Sequence, residues 1–132
     1  MPATSGGALV PAQGVILNTQ TGIGYGTGAG GVVTQATSKS TAVTLNRVCG
    51  AITMNNAALG AATIVSFTLN NTSIAAGDVL ILNHISGGTP GSYTLNARSA
   101  AGSATIDVRN NTAGGLSEAI VIQFAVFKAV SA

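Results

Sequence analysis

The feature that most restricts the fold of this chain is a succession of short runs rich in β-branched residues, separated at close spacing by Gly, Asn and Pro. Runs of this kind predict β-strands bounded by turns. About eight of them follow residue 31: GVVTQA, TAVTLN, GAITM, TIVSFTL, DVLILNHI, SYTLNAR, ATIDVRN and AIVIQFAVF. Only NNAALGAA, residues 55–62, resembles a helix, and it is too short to be stable without tertiary support.

The alternation of apolar and polar residues indicates which strands have one buried face. In TIVSFTL, residues 63–69, Val65, Phe67 and Leu69 lie on one side, as in a half-buried strand. DVLILNHI, residues 78–85, is apolar enough to be covered on both faces. Eight short strands with almost no helix predict an all-β, single-domain β-sandwich of jelly-roll type.

The scarcity of charge is the most informative feature of the composition. The chain has 132 residues, enough for one domain, and only 6% of them are charged, against about 25% in typical soluble domains. Surface charge keeps monomers soluble and discourages association. Five basic and three acidic residues supply little of it, so we expect the protein to function in contact with other protein.

Membranes and secretion are not indicated by the sequence. The most apolar run, AIVIQFAVF, is interrupted by Gln123 and is far shorter than the roughly 18–20 residues that a membrane helix needs. The N-terminal residues lack the basic and apolar regions of a cleaved signal. A single Cys49 allows no disulfide within the chain, which suits assembly in a reducing cytoplasm.

Nucleic-acid binding is not expected, because the cations are scattered along the chain. A phosphate track requires several of them on one surface. The five basic residues are Lys39, Arg47, Arg98, Arg109 and Lys128.

The N-terminal 31 residues predict a neutral, extended arm, and residues 32–132 the folded domain. The first charged residue is Lys39, and nine of the 18 glycines lie at or before Gly31. Such arms usually become ordered on contact with a partner. The apolar residues expected to make the contacts of the arm with a partner protein or another subunit are Leu9, Val10, Val15, Ile16 and Leu17. The residues expected to form a flexible joint are Gly22, Gly24, Gly26, Gly28, Gly30 and Gly31.

No catalytic, cofactor or metal site is predicted. Gly26, Gly28 and Gly31 match G-x-G-x-x-G, but no strand–helix–strand unit surrounds them. His84 is the only histidine and suits a hydrogen-bonded structural role at a strand end. Cys49 is expected to be a small buried apolar residue. The chain has three carboxylates, one His, one Cys and no Trp. These are too few residues of the required types to favour metal binding, glycoside hydrolysis or stacking on sugars.

The amino-acid sequence beyond the arm is similar to that of one family of virion proteins. The segments TQATSKSTAVTLNRVCGAITMNNAAL, VSFTLNNTSIAAGDVLILNHISGGTPGSYTLNA and VRNNTAGGLSEAIVIQFAVFKAV resemble the capsid decoration, or cement, proteins of tailed double-stranded DNA bacteriophages. The likeness extends from about residue 33 to residue 130. The similarity is spread over the whole of this region, and it includes no motif from which contact residues can be assigned to this chain.

This resemblance implies a structural protein and not an enzyme. The expected partners are the major capsid protein, on the outer surface of the virion, and further copies of the chain in a dimer or trimer that bridges capsomers. Two other functions remain open from the sequence: a module of a head or tail fibre that contacts a host receptor, and a small hydrolase or sugar-binding domain.

Overall fold

The computed structural model describes residue 20 and residues 22–132, and in this part of the chain it contains strands and no helix. About eight runs of sequence were expected to form strands, and each of them overlaps one strand, with boundaries that differ by up to two residues. In chain order the strands are β1 Val32–Thr34, β2 Val43–Thr44, β3 Cys49–Thr53, β4 Ile64–Asn70, β5 Val79–Ser86, β6 Tyr93–Ala100, β7 Ser103–Asn110 and β8 Val121–Phe127. Residues 55–62 form no helix.

The strands form two four-stranded sheets. Sheet A has the order β1-β3-β8-β5 and sheet B the order β2-β4-β7-β6. The first six strands alternate between the sheets, so the connection from β1 to β3 includes β2 of the other sheet. Because such a crossover returns the chain in its original direction, β1 and β3 are parallel, as are β2 and β4. The other strand pairs are antiparallel.

One hydrophobic core receives side chains from both sheets. Sheet A contributes Ile52, Ile122, Phe124 and Val126, and every second residue of β7 in sheet B is buried. The predicted alternation in β4 is confirmed, because Phe67 and Leu69 are buried and Ile64 and Ser66 are exposed. Each fully buried large apolar side chain contributes about 1.5–3 kcal/mol. This core leaves one outer face on each sheet.

Candidate interaction surface

The outer face of sheet B is mainly polar, although Ile64 of β4 is 53% exposed on it. Arg98 of β6 forms an ion pair with Asp107 of β7, and Ser66 of β4 donates a hydrogen bond of 2.6 Å to the same carboxylate. These contacts lower the pKa of Asp107, with the Arg98 hydrogen bond as the largest cause. Exposed polar side chains of this kind need no protein partner.

The outer face of sheet A is apolar by contrast. Val79 and Ile81 of β5 are 49% and 51% exposed, and Phe127 of β8 is 57% exposed. The strand register pairs Val79 with Phe127 and Ile81 with Ala125, so these side chains form two adjacent rows. The prediction that residues 78–85 are covered on both faces is therefore wrong for the described chain, because nothing described covers this side of β5.

The apolar surface continues across the sheet. Val32 of β1 is 81% exposed and lies beside Ala51 of β3. In the same row as Val32 and Ala51, Gln123 of β8 and Asn83 of β5 occupy paired positions and are exposed. We call the outward-facing side of sheet A, which includes Val32 of β1, Val79 and Ile81 of β5 and Phe127 of β8, the sheet A face.

A groove of about 520 Å³ lies at one end of the sheet A face. Its floor and one wall come from β3, β5 and β8, and the other wall comes from the chain that precedes β1. Tyr25 of that wall donates a hydrogen bond of 2.5 Å to the carbonyl oxygen of Val126. The groove is lined mainly by apolar groups, among them Ile23, Tyr25, Cys49, Ile81, Ala125 and Phe127.

The groove also corrects the expectation for Cys49. Its side chain was expected to be buried, but Cys49 is only partly buried and lines the groove. Residues of β3 alternate between the core and the outer face, and Gly50 and Ile52 take the core positions. The period of two therefore places Cys49 on the outer side.

The glycines of the predicted joint differ in their surroundings. Gly22 and Gly28 have φ angles of +96° and +99°, which favour glycine, and open space surrounds both. Gly31 instead lies against β3: Ala51 donates a hydrogen bond of 2.9 Å to its carbonyl, and a Cβ on Gly50 would stand 2.5 Å from that oxygen. The boundary predicted at residue 31 thus falls in a packed stretch, and the flexibility of the joint stays a prediction.

The apolar arm residues proposed as contacts, Leu9, Val10, Val15, Ile16 and Leu17, lie outside the described residues.

The charged and polar groups near His84 form a structural network. The His84 ring Nε2 lies 2.6 Å from the carbonyl oxygen of Gly87, and its ring contacts the edge of Tyr93. Tyr93 donates a hydrogen bond of 2.7 Å to Glu118, which also accepts two from Thr89. These hydrogen bonds lower the pKa of Glu118, with those from Thr89 and Tyr93 the largest causes. The arrangement ties β5 and β6 to the loop before β8.

A buried lysine joins this network and was not recognised in the sequence. The Lys39 side chain donates hydrogen bonds to the backbone carbonyls of Asn55 and Glu118, and the residue is 4% exposed. Burial lowers the pKa of Lys39, and the nearby Glu118 carboxylate partly opposes this shift. The apolar pattern does not indicate that Lys39 is buried, because lysines are almost always on the surface.

A second carboxylate stabilises the turn before β5. Asp78 accepts a backbone hydrogen bond of 2.8 Å from Ala75, as expected for a carboxylate in a turn. Lys128 also lies 2.6 Å from the Asp78 carboxylate, and this contact is the largest cause that lowers its pKa.

Acid is expected to destabilise the protein, because all three of its carboxyl groups have a lowered pKa. A group whose pKa is lower in the folded state stabilises it above the unfolded pKa, and that contribution is lost as the pH falls. The urea midpoint should be nearly constant above about pH 5.5 and fall below about pH 4.5. Asp107→Asn should reduce this dependence; a midpoint unchanged down to pH 2.5 would contradict the expectation.

Comparison with models of protein families, with curated proteins and with solved structures finds no match. Within residues 22–132, no three His, Cys, Asp or Glu side chains are grouped as a metal site requires, and no helix is long and apolar enough to cross a bilayer. The sheet A face, with its half-exposed Val79, Ile81 and Phe127, is the feature of the described chain on which a functional proposal is best based.

Proposed function

We propose that this chain is a structural virion protein that binds the outer surface of the major capsid lattice and stabilises the phage head by bridging capsomers. The sheet A face is the domain's contact surface, and the N-terminal arm adds a second contact. The proposal is supported by the family resemblance, the scarcity of charge and the difference between the two sheet faces. The copies act as a dimer or trimer on the virion exterior.

The observation that carries the proposal is the exposure of several large apolar side chains on one side of a charge-poor protein. Contiguous apolar patches on soluble proteins mark interaction sites. Val79, Ile81 and Phe127 are each about half exposed, so covering them adds a gain of the order of a few kcal/mol for each copy. Part of this gain is lost to the entropy of association.

Modest contacts are sufficient for a cement protein, because each one is repeated over the lattice. A protein that binds only the intact, expanded shell shifts the equilibrium toward that shell by mass action. The scattered cations, of which Arg98 and Lys128 are already paired with carboxylates, suit protein contact better than contact with nucleic acid.

The finer architecture belongs to the same proposal. We infer that the two sheets, which share one core, form a β-sandwich preceded by an extended arm. The jelly-roll type stays a prediction. The parallel pairs β1/β3 and β2/β4 are a feature that the antiparallel Greek keys of a jelly roll do not have.

A charge placed on the sheet A face should prevent decoration. Ile81→Asp puts a carboxylate on the edge strand of sheet A, where binding would remove it from water, so the affinity for heads that lack the protein should fall at least about tenfold. Thr94→Asp is the matched control, because Thr94 is exposed on the edge strand of sheet B. Co-sedimentation with purified heads measures both affinities.

The outcome also separates decoration from a role in a fibre. Decoration requires copies distributed over all capsomers, whereas a fibre module is present in a few copies at defined positions of the particle. Equal binding by Ile81→Asp and Thr94→Asp would refute the sheet A face as the contact surface. Density confined to a fibre in images of intact virions would refute decoration itself.

A further inference from the structure

We propose that, in the free protein, the groove on the sheet A face is occupied by residues 15–17 of the same chain, Val15, Ile16 and Leu17. The inference concerns the protein before it meets any partner, and it does not rest on the proposed function. It combines the position of the groove with the composition of the chain that leads into it.

The first step is the position at which the described chain meets the groove. Ile23, Gly24 and Tyr25 form part of the groove lining, and the Tyr25 hydroxyl is held by the carbonyl of Val126. The preceding residues therefore start from the rim of the groove. Gly22 has a φ angle of +96°, a conformation in which the backbone readily changes direction.

The second step is reach. Leu17 lies six positions before Ile23, and a chain of six residue steps spans up to about 20 Å. Four strands spaced at about 4.8 Å make a sheet only about 14 Å across. Residues 15–17 can therefore reach any part of the groove, and their attachment to the same chain gives them a high effective concentration there.

The third step is chemical complementarity. Val15, Ile16 and Leu17 form an uncharged, strand-forming run, and residues 1–21 contain no charge at all. The groove offers apolar walls, while Asn83 and Gln123 place side-chain amides on its floor, where they can bond the backbone of an extended segment. Docking would cover the apolar surface that a free, charge-poor protein otherwise exposes to water.

Cys49 provides a direct test, because it lines the groove and is the only cysteine of the chain. A second cysteine is introduced at position 15, 16 or 17 in three separate variants of the full chain, and in a control at Ser5. Disulfide formation under mild oxidation is followed on dilute protein by mass spectrometry and non-reducing gels. A disulfide requires Cα atoms within about 7 Å, so the rate reports docking.

An undocked segment would give a different pattern. A disulfide to Cys49 closes a loop of about 33 residues in Ile16→Cys and of about 44 residues in Ser5→Cys. For an undocked segment, the closure probabilities of these two loops differ by less than about twofold. Docking predicts that the fastest of the three variants closes at least about tenfold faster than Ser5→Cys. Adding Ile81→Asp should remove most of this advantage, and adding Thr94→Asp should preserve it.

Two results would overturn the inference. Rates within about twofold of the Ser5→Cys control for all three variants would show that residues 15–17 do not occupy the groove. Disulfide-linked dimers in place of cross-linked monomers would assign the groove to the segment of a second copy. Neither result depends on whether the protein binds phage heads, so failure here is distinguishable from failure of the proposed function.

Discussion

Deletion of residues 2–20 is expected to abolish decoration of phage heads and to leave the domain folded. The deletion removes Leu9, Val10, Val15, Ile16 and Leu17, whose burial is worth about 1.5–3 kcal/mol each. Even partial burial of the five exceeds the roughly 2.8 kcal/mol that corresponds to a hundredfold loss of affinity. Occupancy on purified heads measures the loss, and thermal unfolding measures the state of the domain.

The domain should survive this deletion because its described contacts begin after residue 20. The hydrogen bond from Tyr25 to Val126 and the contact of Gly31 with Gly50 both remain. Light scattering on the deleted protein is needed as well, since uncovering the sheet A face favours self-association. Unchanged occupancy on heads would contradict a role for the arm in adhesion.

A length-preserving variant separates the apolar side chains from the arm as a tether. Replacement of Val15, Ile16 and Leu17 by Ser keeps the chain length and should still reduce occupancy strongly. The matched control replaces the polar Gln13, Asn18 and Thr19 by Ser and should bind as the natural chain does. No loss in either triple variant would mean that the arm acts through its backbone alone, and equal loss in both would contradict a specific role for the apolar side chains.

The strands could be located from the sequence because their signals are local. A β-branched run such as that of β4 needs only its own alternation to predict a strand and its buried face, and the Gly-containing turns on either side bound it. The structure confirms the all-β class for the described residues and arranges their strands in two sheets of four. The boundaries agree to within two residues, because the turn residues that bound each run also lie close to the strand ends.

The sheet order could not be predicted, because pairing is a long-range property. Nothing in residues 32–34 shows that β1 pairs with β3 in parallel and that β2 lies in the other sheet. Short strands such as β2, with two residues, carry little periodicity to define a register. Their positions follow from how the longer strands close the core.

The candidate surface was missed for a related reason. An apolar run such as that of β5 has the same sequence signal whether its second face meets the core or a partner, so Val79 and Ile81 read as buried. Cys49 was misplaced because a small apolar residue suits either side of a strand. Only the register of β3, β8 and β5 shows that these residues share one open face.

A single buried amide illustrates what local signals leave out. In the sequence, Asn110 belongs to an Asn- and Gly-rich turn, and asparagine is common in turns for several reasons. In the structure Asn110 is fully buried at the end of β7. Its Nδ2 donates to the carbonyls of Leu59, Gly60 and Gly114, at 3.0, 3.1 and 2.8 Å, and its Oδ1 accepts from the backbone and hydroxyl of Thr112. One side chain therefore joins the loop before β4 to the loop after β7.

Asn110→Ala is accordingly expected to destabilise the domain by about 3 kcal/mol, because it removes the five hydrogen bonds of a fully buried side chain, each worth about 0.5–1.5 kcal/mol. The carbonyls of Leu59 and Gly114 each keep one other donor, the N–H of Leu116 and the hydroxyl of Thr112. Asn111→Ala is the matched control. The Asn111 side chain is exposed and bonds only the hydroxyl of Thr94 among the described residues, so this substitution should change the free energy of unfolding by no more than about 0.5 kcal/mol. Urea unfolding at pH 7 gives both free energies. Equal effects of the two substitutions would show that water replaces the Asn110 hydrogen bonds, and the two loops would then be held by backbone hydrogen bonds, such as those between Leu59 and Leu116 and from Ala62 to Thr112.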